Sequence, residues 1–236
     1  MSFERYRASF GAMEVQSTFY RLPRKGTAKR WRERFGEDFV FTLKAYQGLT
    51  HASDSPTWKR RGAKFPEGDP DRFGGLKPTA ENYELWERVL EVASELKSEF
   101  IVIQFPPSFL KNTENVGNLA AFLGSVERPV NVGVELRQPA WFEEKEELSK
   151  LFSKLGVVDV VDPFKRDPIL LEDTCYFRLH GLGKGYRYTY SESELTLLKQ
   201  KVEKLDVKRC YVFFNNLSMA DDAQRFRRIV EEKRSV

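Results

Sequence analysis

Glu135 and Arg137 stand two residues apart in the run Asn131-Val132-Gly133-Val134-Glu135-Leu136-Arg137. Side chains alternate faces along a strand, so Val132, Val134 and Leu136 share one face and the charged pair lies on the other. The same division recurs along the chain. Glu14 and Gln16 oppose Met13 and Val15; Thr42, Lys44 and Tyr46 oppose Phe41 and Leu43; Gln104 sits beside Ile103 and Phe105. Further on, Tyr176, Arg178 and His180 oppose Cys175, Phe177 and Leu179, and Asn215 and Asn216 close the last such run. Asp159 and Asp162 flank another, with their facing left open. Charges on inward faces are costly unless they pair or line a wet pocket. Arg137 and Arg178 offer planar, bidentate donors to a phosphate or carboxylate, and Lys44 adds a point charge. Glu14 and Glu135 suit an acid/base pair if their surroundings differ, and His180 suits proton transfer near neutrality. Gln16, Gln104, Trp141, Asn215 and Asn216 are expected to orient and cover the ligand. The competing reading is a network of Glu14, Glu135, Lys44, Arg137 and Arg178 that satisfies itself.

Strands are expected at about 12–19, 39–46, 100–105, 130–137, 157–161, 175–180 and 209–215. Helices are expected at about 27–35, 79–97, 114–124, 142–155, 191–205 and 219–233. Thr79, and Ser191 with Glu194, mark helix starts, and Glu143 to Glu147 load another first turn with negative charge. Alternating strands and helices imply a parallel sheet with right-handed crossovers. A dinucleotide fold would place a glycine-rich turn after its first strand. Ser17-Thr18-Phe19-Tyr20 follows here instead, which favours a TIM-type β/α barrel whose ligand site lies at the C-terminal strand ends.

Size and composition agree with one such domain spanning 1–236. The chain has 236 residues, 41% hydrophobic, with 39 basic against 35 acidic side chains, so an anionic partner is permitted but not demanded. No apolar run reaches membrane-spanning length and the N-terminus lacks a signal-peptide core, so a cytoplasmic protein with no membrane partner is expected. Two cysteines and two histidines leave little for a disulfide framework or a metal centre, and no metal or cofactor is expected. Cys175 and Cys210 read as inert core thiols.

A long irregular stretch at about 50–78 interleaves Trp58, Lys59, Arg60, Arg61, Lys64, Phe65, Arg72 and Phe73. It reads either as a loop packed by its own aromatics or as a surface for stacked bases and phosphates. With the basic balance, it supports a second reading: a nucleic-acid-binding protein acting in DNA or RNA repair or processing. Gly181-Leu182-Gly183-Lys184-Gly185 lacks the Walker pattern and reads as a loop presenting Tyr186, Tyr188 and Tyr190. A third reading, a carbohydrate-active barrel, uses Glu14 and Glu135 with Trp141 as a stacking platform.

Several motifs together resemble the DUF72 (YecE-like) family. They are Glu14-Val15-Gln16-Ser17-Thr18-Phe19-Tyr20, Phe41-Thr42-Leu43-Lys44-Ala45, Leu49-Thr50-His51 and Gln104-Phe105-Pro106-Pro107-Ser108-Phe109. Val134-Glu135-Leu136-Arg137 with Trp141-Phe142, Arg178-Leu179-His180-Gly181 and Phe214-Asn215-Asn216 complete the likeness. The resemblance implies a TIM-type barrel and no established reaction. It also implies that the family's usual first strand is missing here, so the seven strands would be its second to eighth. A longer native product, or a gap filled by the N-terminal segment or a partner chain, is then expected. Oligomeric state is left open. The reading taken forward is a barrel that binds a polar, anionic ligand and works as a metal-independent acid/base hydrolase.

Overall fold

The protein is described by a computed structural model covering residues 2–183 and 186–232. Two units divide the chain, 1–157 and 158–236, and each is built on its own parallel ladder. In the first, α1 (Phe3–Ser9) precedes β1 (Ala12–Val15), α2 (Ser17–Tyr20), α3 (Thr27–Phe35) and β2 (Val40–Lys44). There follow α4 (Ala80–Leu96), β3 (Phe100–Gln104), α5 (Thr113–Ser125), β4 (Asn131–Glu135) and α6 (Lys145–Leu155). Strands β1 to β4 pair in chain order, and the register sets Glu14 beside Thr42, Lys44 beside Val102 and Gln104 beside Glu135. Polar side chains two residues apart on neighbouring strands therefore gather at one edge, the C-terminal one. All five residues of β3 are buried, as expected for a parallel strand covered on both faces.

The helices explain that cover. In α4, Leu85, Trp86, Val89, Val92, Ala93 and Leu96 recur at helical spacing and are buried, while Thr79 Oγ1 accepts the Asn82 N–H at the start. Arg32 of α3, only 4% exposed, donates to the carbonyls of Leu96, Gly36 and Phe39, each at 2.7 Å. One guanidinium thus satisfies acceptors at the ends of two helices and the entry to β2, which offsets its own desolvation.

The second unit contains β5 (Val158–Val161), β6 (Thr174–Leu179), α7 (Glu192–Glu203), β7 (Arg209–Phe214) and α8 (Met219–Glu231). Its strands also pair in parallel and in chain order. Cys175 and Cys210 are register partners near the strand starts, and both are free thiols. Contact with Cys210, then burial, pushes the Cys175 thiol up, which keeps it protonated and unreactive. Among the described residues no helix is long and apolar enough to cross a membrane.

The strands are shorter than the sequence pattern suggests, and the cause is local. The first stops at Val15 because the Thr18 hydroxyl lies 2.8 Å from the Val15 carbonyl and 2.7 Å from that of Lys44. A side chain that engages the nearby backbone competes with the ladder, and residues 17–20 turn into helix. Arg137 and His180 likewise fall just beyond their strands.

Candidate functional site

The C-terminal edge of β1–β4 is ionic and buried. Glu14, Lys44, Gln104 and Glu135 are each less than 10% exposed. The Lys44 ammonium donates to Gln104 Oε1 at 2.8 Å and lies 3.7 Å from the centre of the Phe19 ring. A ring face attracts a cation most strongly when water is excluded. Glu135 Oε1 accepts the Arg137 Nε–H at 2.8 Å, the arginine turning back two residues past the strand end. Glu14 Oε1 accepts from the Gln16 amide. The negative charge of Glu14 acts outward as well: burial first, then that charge, push the Tyr6 phenol up to about 12.

His51 belongs to the same edge, and its position is built by the loop that follows β2. Residues 47–49 form a 3-10 turn whose Gln47 carbonyl accepts the His51 N–H at 2.8 Å. The returning chain then stitches to it through Gly74 to Gly48, Gly75 to Thr50 and Leu76 to Leu49. Gly74 has φ +73°, and a Cβ there would meet the His51 carbonyl oxygen at 3.0 Å, so this close approach requires glycine. The His51 ring is 2% exposed, edge-on to Phe19 at 5.0 Å, with Thr50 Oγ1 2.8 Å from Nδ1. Burial, then the charges of Lys44 and Arg137, push its pKa down to about 3. The imidazole is therefore neutral at any ordinary pH, able to give or take a hydrogen bond.

The rest of the 50–78 stretch is a folded cover. Trp58 packs edge-on against Phe65 at 4.9 Å, and Phe65 against Phe73 at 5.5 Å. Trp58 Nε1 donates to the Ala52 carbonyl at 2.7 Å. Lys59, Arg60 and Arg61 remain exposed. Trp141 is also structural in its contacts: it is 1% exposed, stacks on Phe109 at 5.4 Å, and donates its indole N–H to the Phe109 carbonyl. A ring so enclosed leaves no open face on which a sugar could stack.

In the second unit, the ends of β6 and β7 form their own polar edge. Arg178 is 2% exposed on β6, two residues before His180. Asp162 Oδ2 accepts the His180 backbone N–H at 3.1 Å and lies 3.6 Å from His180 Nδ1, so the carboxylate anchors both backbone and ring. Asp159 is clamped by Arg166 through paired bonds of 2.5 and 2.6 Å and by the Ile169 N–H. The Asn215 N–H donates to the Leu179 carbonyl at 2.7 Å, continuing the ladder. Asn216 gives its side-chain amide to the Tyr188 carbonyl and to Asp222 Oδ2, at 2.7 and 2.6 Å. It holds the tyrosine segment in place. Of the glycine-rich loop, Lys184 and Gly185 lie outside the described residues. Gly181 has φ +88° and donates its N–H to the Tyr190 hydroxyl at 2.8 Å.

The family model described as "Protein of unknown function DUF72" matches residues 2–236. The chain belongs to the DUF72 family. The UPF0759 protein YunF of Bacillus subtilis (strain 168) is 24% identical to it over 254 residues, spanning 96% of this chain and 84% of YunF. The UPF0759 protein YecE of Escherichia coli O157:H7 is 27% identical over 163 residues, 68% of this chain and 51% of YecE. A crystal structure of a DUF72 family protein from Thermotoga maritima superposes with a TM-score of 0.68 at 26% identity, covering 94% of this chain and 85% of that one. The fold class expected from the sequence, an α/β TIM-type barrel with seven parallel strands, is the one this DUF72 chain has.

In the sequence His51 stands out only as the end of Leu49-Thr50-His51 and is not among the expected site residues. What sequence reasoning missed was the pairing with Phe19 and Lys44, residues far apart in the chain. The signal available was Leu49-Thr50-His51 directly after a strand end carrying Lys44. Gln47 was missed entirely, and it is fully buried with neither side-chain amide atom hydrogen-bonded.

Proposed function

We propose that the C-terminal ends of β1–β4 bind a small ligand bearing a carboxylate or phosphate, and that Glu14 and Glu135 carry out acid/base hydrolysis on it. The observation that supports this most is the state of His51. Two cations, Lys44 and Arg137, add to burial in suppressing its protonation, so both ammonium and guanidinium lie near enough to this ring to act on a bound group. A buried cation attracts an incoming anion more strongly than an exposed one does. Lys44 and Arg137 receive the anion, Gln104 and Gln16 orient it, and neutral His51 contributes a hydrogen bond without competing for charge. Glu14 and Glu135 differ in their neighbours, an amide for one and a guanidinium for the other. On the second unit, Arg178, His180, Asn215 and Asn216 supply groups of the same chemistry at the ends of β6 and β7.

Calorimetric titration with inorganic phosphate, pyrophosphate and citrate tests the binding step, using wild type and Lys44→Met. Loss of a charge-assisted contact should weaken binding by about tenfold or more. Affinities unchanged in Lys44→Met, or no uptake of any of the three anions, would sink the assignment. Release of p-nitrophenol from its phosphate and carboxylate esters, compared among wild type, Glu14→Gln and Glu135→Gln, tests the chemistry.

A further inference from the structure

A second concave site in the first unit is unlike the strand-end edge: open, basic and lined by tyrosines. It is a cavity of about 420 Å³ formed by the segment after α2, the loop after β2 and one face of α4. Arg21, Arg24, Lys64 and Arg88 line it, together with Tyr20 and Tyr46. Among the described residues no acidic side chain lines this cavity, and none of its four cations is in an ion pair. That is unusual in a chain where acidic and basic residues nearly balance, 35 against 39. Four like charges around one cavity repel one another, and an anion relieves that repulsion.

The tyrosines narrow the ligand. The Tyr46 hydroxyl donates to the Lys64 carbonyl at 2.9 Å, which fixes the loop wall, and its ring meets Trp58 edge-on at 6.0 Å. Tyr20 is half-buried, with the exposed Arg61 guanidinium 5.4 Å from its ring centre. A planar group can stack beside Tyr20 by exchanging with that arginine. Aromatic faces next to clustered guanidinium groups recognise bases and phosphates together. The volume lies within the ~300–1,000 Å³ of small-ligand pockets.

We propose that this cleft binds a nucleotide, either free or as one residue of a single strand. Arg21, Arg24, Lys64 and Arg88 hold the phosphate, and Tyr20 stacks the base. The proposal does not rest on the strand-end reading, since it shares no residue with it.

The test is a fluorescence titration of the full chain with methylanthraniloyl-labelled AMP and with fluorescein-labelled oligo(dT), at low and physiological salt. The variants are Tyr20→Ala, the double variant Arg24→Ala/Arg88→Ala, and Lys154→Ala as a control for loss of an exposed positive charge on α6. Circular dichroism confirms that each is folded. The double variant should bind on the order of tenfold or more weakly, Tyr20→Ala should lose on the order of tenfold, and Lys154→Ala should match wild type. Oligo(dT) binding far tighter than the mononucleotide, with AMP as a competitor, assigns the site to a single strand. The reverse order assigns it to a free nucleotide. If neither probe binds at low salt, or the double variant and Lys154→Ala bind alike, the proposal is overturned. Lys44→Met leaves this binding unchanged, which separates its failure from that of the strand-end site.

Discussion

His51 provides the most direct test of the strand-end site, because its neutrality has a measurable consequence. In the folded protein the ring titrates at about 3, against 6.5 for an unperturbed histidine. The gap of about 3.5 pH units corresponds to about 5 kcal/mol at about 1.4 kcal/mol per unit. The sign follows from proton uptake. Below pH 6.5 the unfolded chain binds a proton that the folded chain refuses, so stability falls as pH drops and stops falling near the folded value. Above 6.5 neither state binds it, and the contribution is flat. At pH 5 the loss due to this ring alone is about 2 kcal/mol. The variant His51→Gln keeps a hydrogen-bonding partner for Thr50 and removes the titration. Urea unfolding of both proteins at about pH 7.5 and about pH 5 should show wild type losing about 2 kcal/mol more than the variant between the two. Effects of other titrating groups cancel in the difference. The chain has only two histidines, so NMR of the imidazole nitrogens, with His180→Gln for assignment, gives the protonation state directly. A charged His51 at pH 5, or equal losses in wild type and variant, would refute the account of burial and positive neighbours.

Other consequences are simpler to state. Gly181→Ala should cost about 2–4 kcal/mol in thermal unfolding, because φ is +88° and the new Cβ would lie 2.5 Å from Tyr188 Cβ. Ser191→Ala removes a capping box in which Glu194 and Ser191 satisfy each other's backbone N–H groups, and should cost about 1 kcal/mol. Sulfate, whose charge is constant, should bind wild type and His51→Gln with the same pH dependence between about pH 6 and about pH 8. A step in that range present in wild type and absent from the variant would show that His51 titrates there.

Much of this architecture was legible in the chain because two periods dominate it. The period-two division marks each strand among the described residues, and it puts Lys44, Gln104 and Glu135 at one edge, where the ladder has them. Helix α3 runs over Thr27–Phe35, the range expected, because glycine precedes and follows it. What could not be read were contacts that depend on where the chain returns. Trp141 carries the same aromatic signal whether it covers a ligand or fills the space against Phe109, and only packing decides. Glu135 and Arg137 share a face in the sequence pattern, but whether they bond each other or a ligand depends on the turn after β4, which folds the arginine back onto the carboxylate. The 50–78 stretch looked irregular because its regularity is in tertiary stitching from Gly74–Leu76 to residues 48–50, which leaves no local period.

The short helix α2 shows how one local decision serves both proposed sites. Its residues step around the axis by about 100° each, so consecutive side chains must face different neighbours. Thr18 is drawn inward to the carbonyls of Val15 and Lys44, Phe19 lies against the Lys44 ammonium and the His51 ring, and Tyr20 faces the basic cleft. Had β1 continued to residue 19 as a strand, Thr18 and Tyr20 would share a face and Phe19 would oppose them. The cleft would then lose its ring or Lys44 its hydroxyl support. The electrostatics of the two sites differ in kind. Charges at the strand ends are shielded from water, so their attraction to an anion should persist at high salt. The cleft cations are exposed, and beyond a screening length of about 8 Å at physiological ionic strength they act weakly. An anion that binds the strand ends in high salt and a nucleotide displaced from the cleft by the same salt are the pair of behaviours this geometry requires. Phe19 and Tyr20, in edge contact at 5.0 Å, are where the two sites meet.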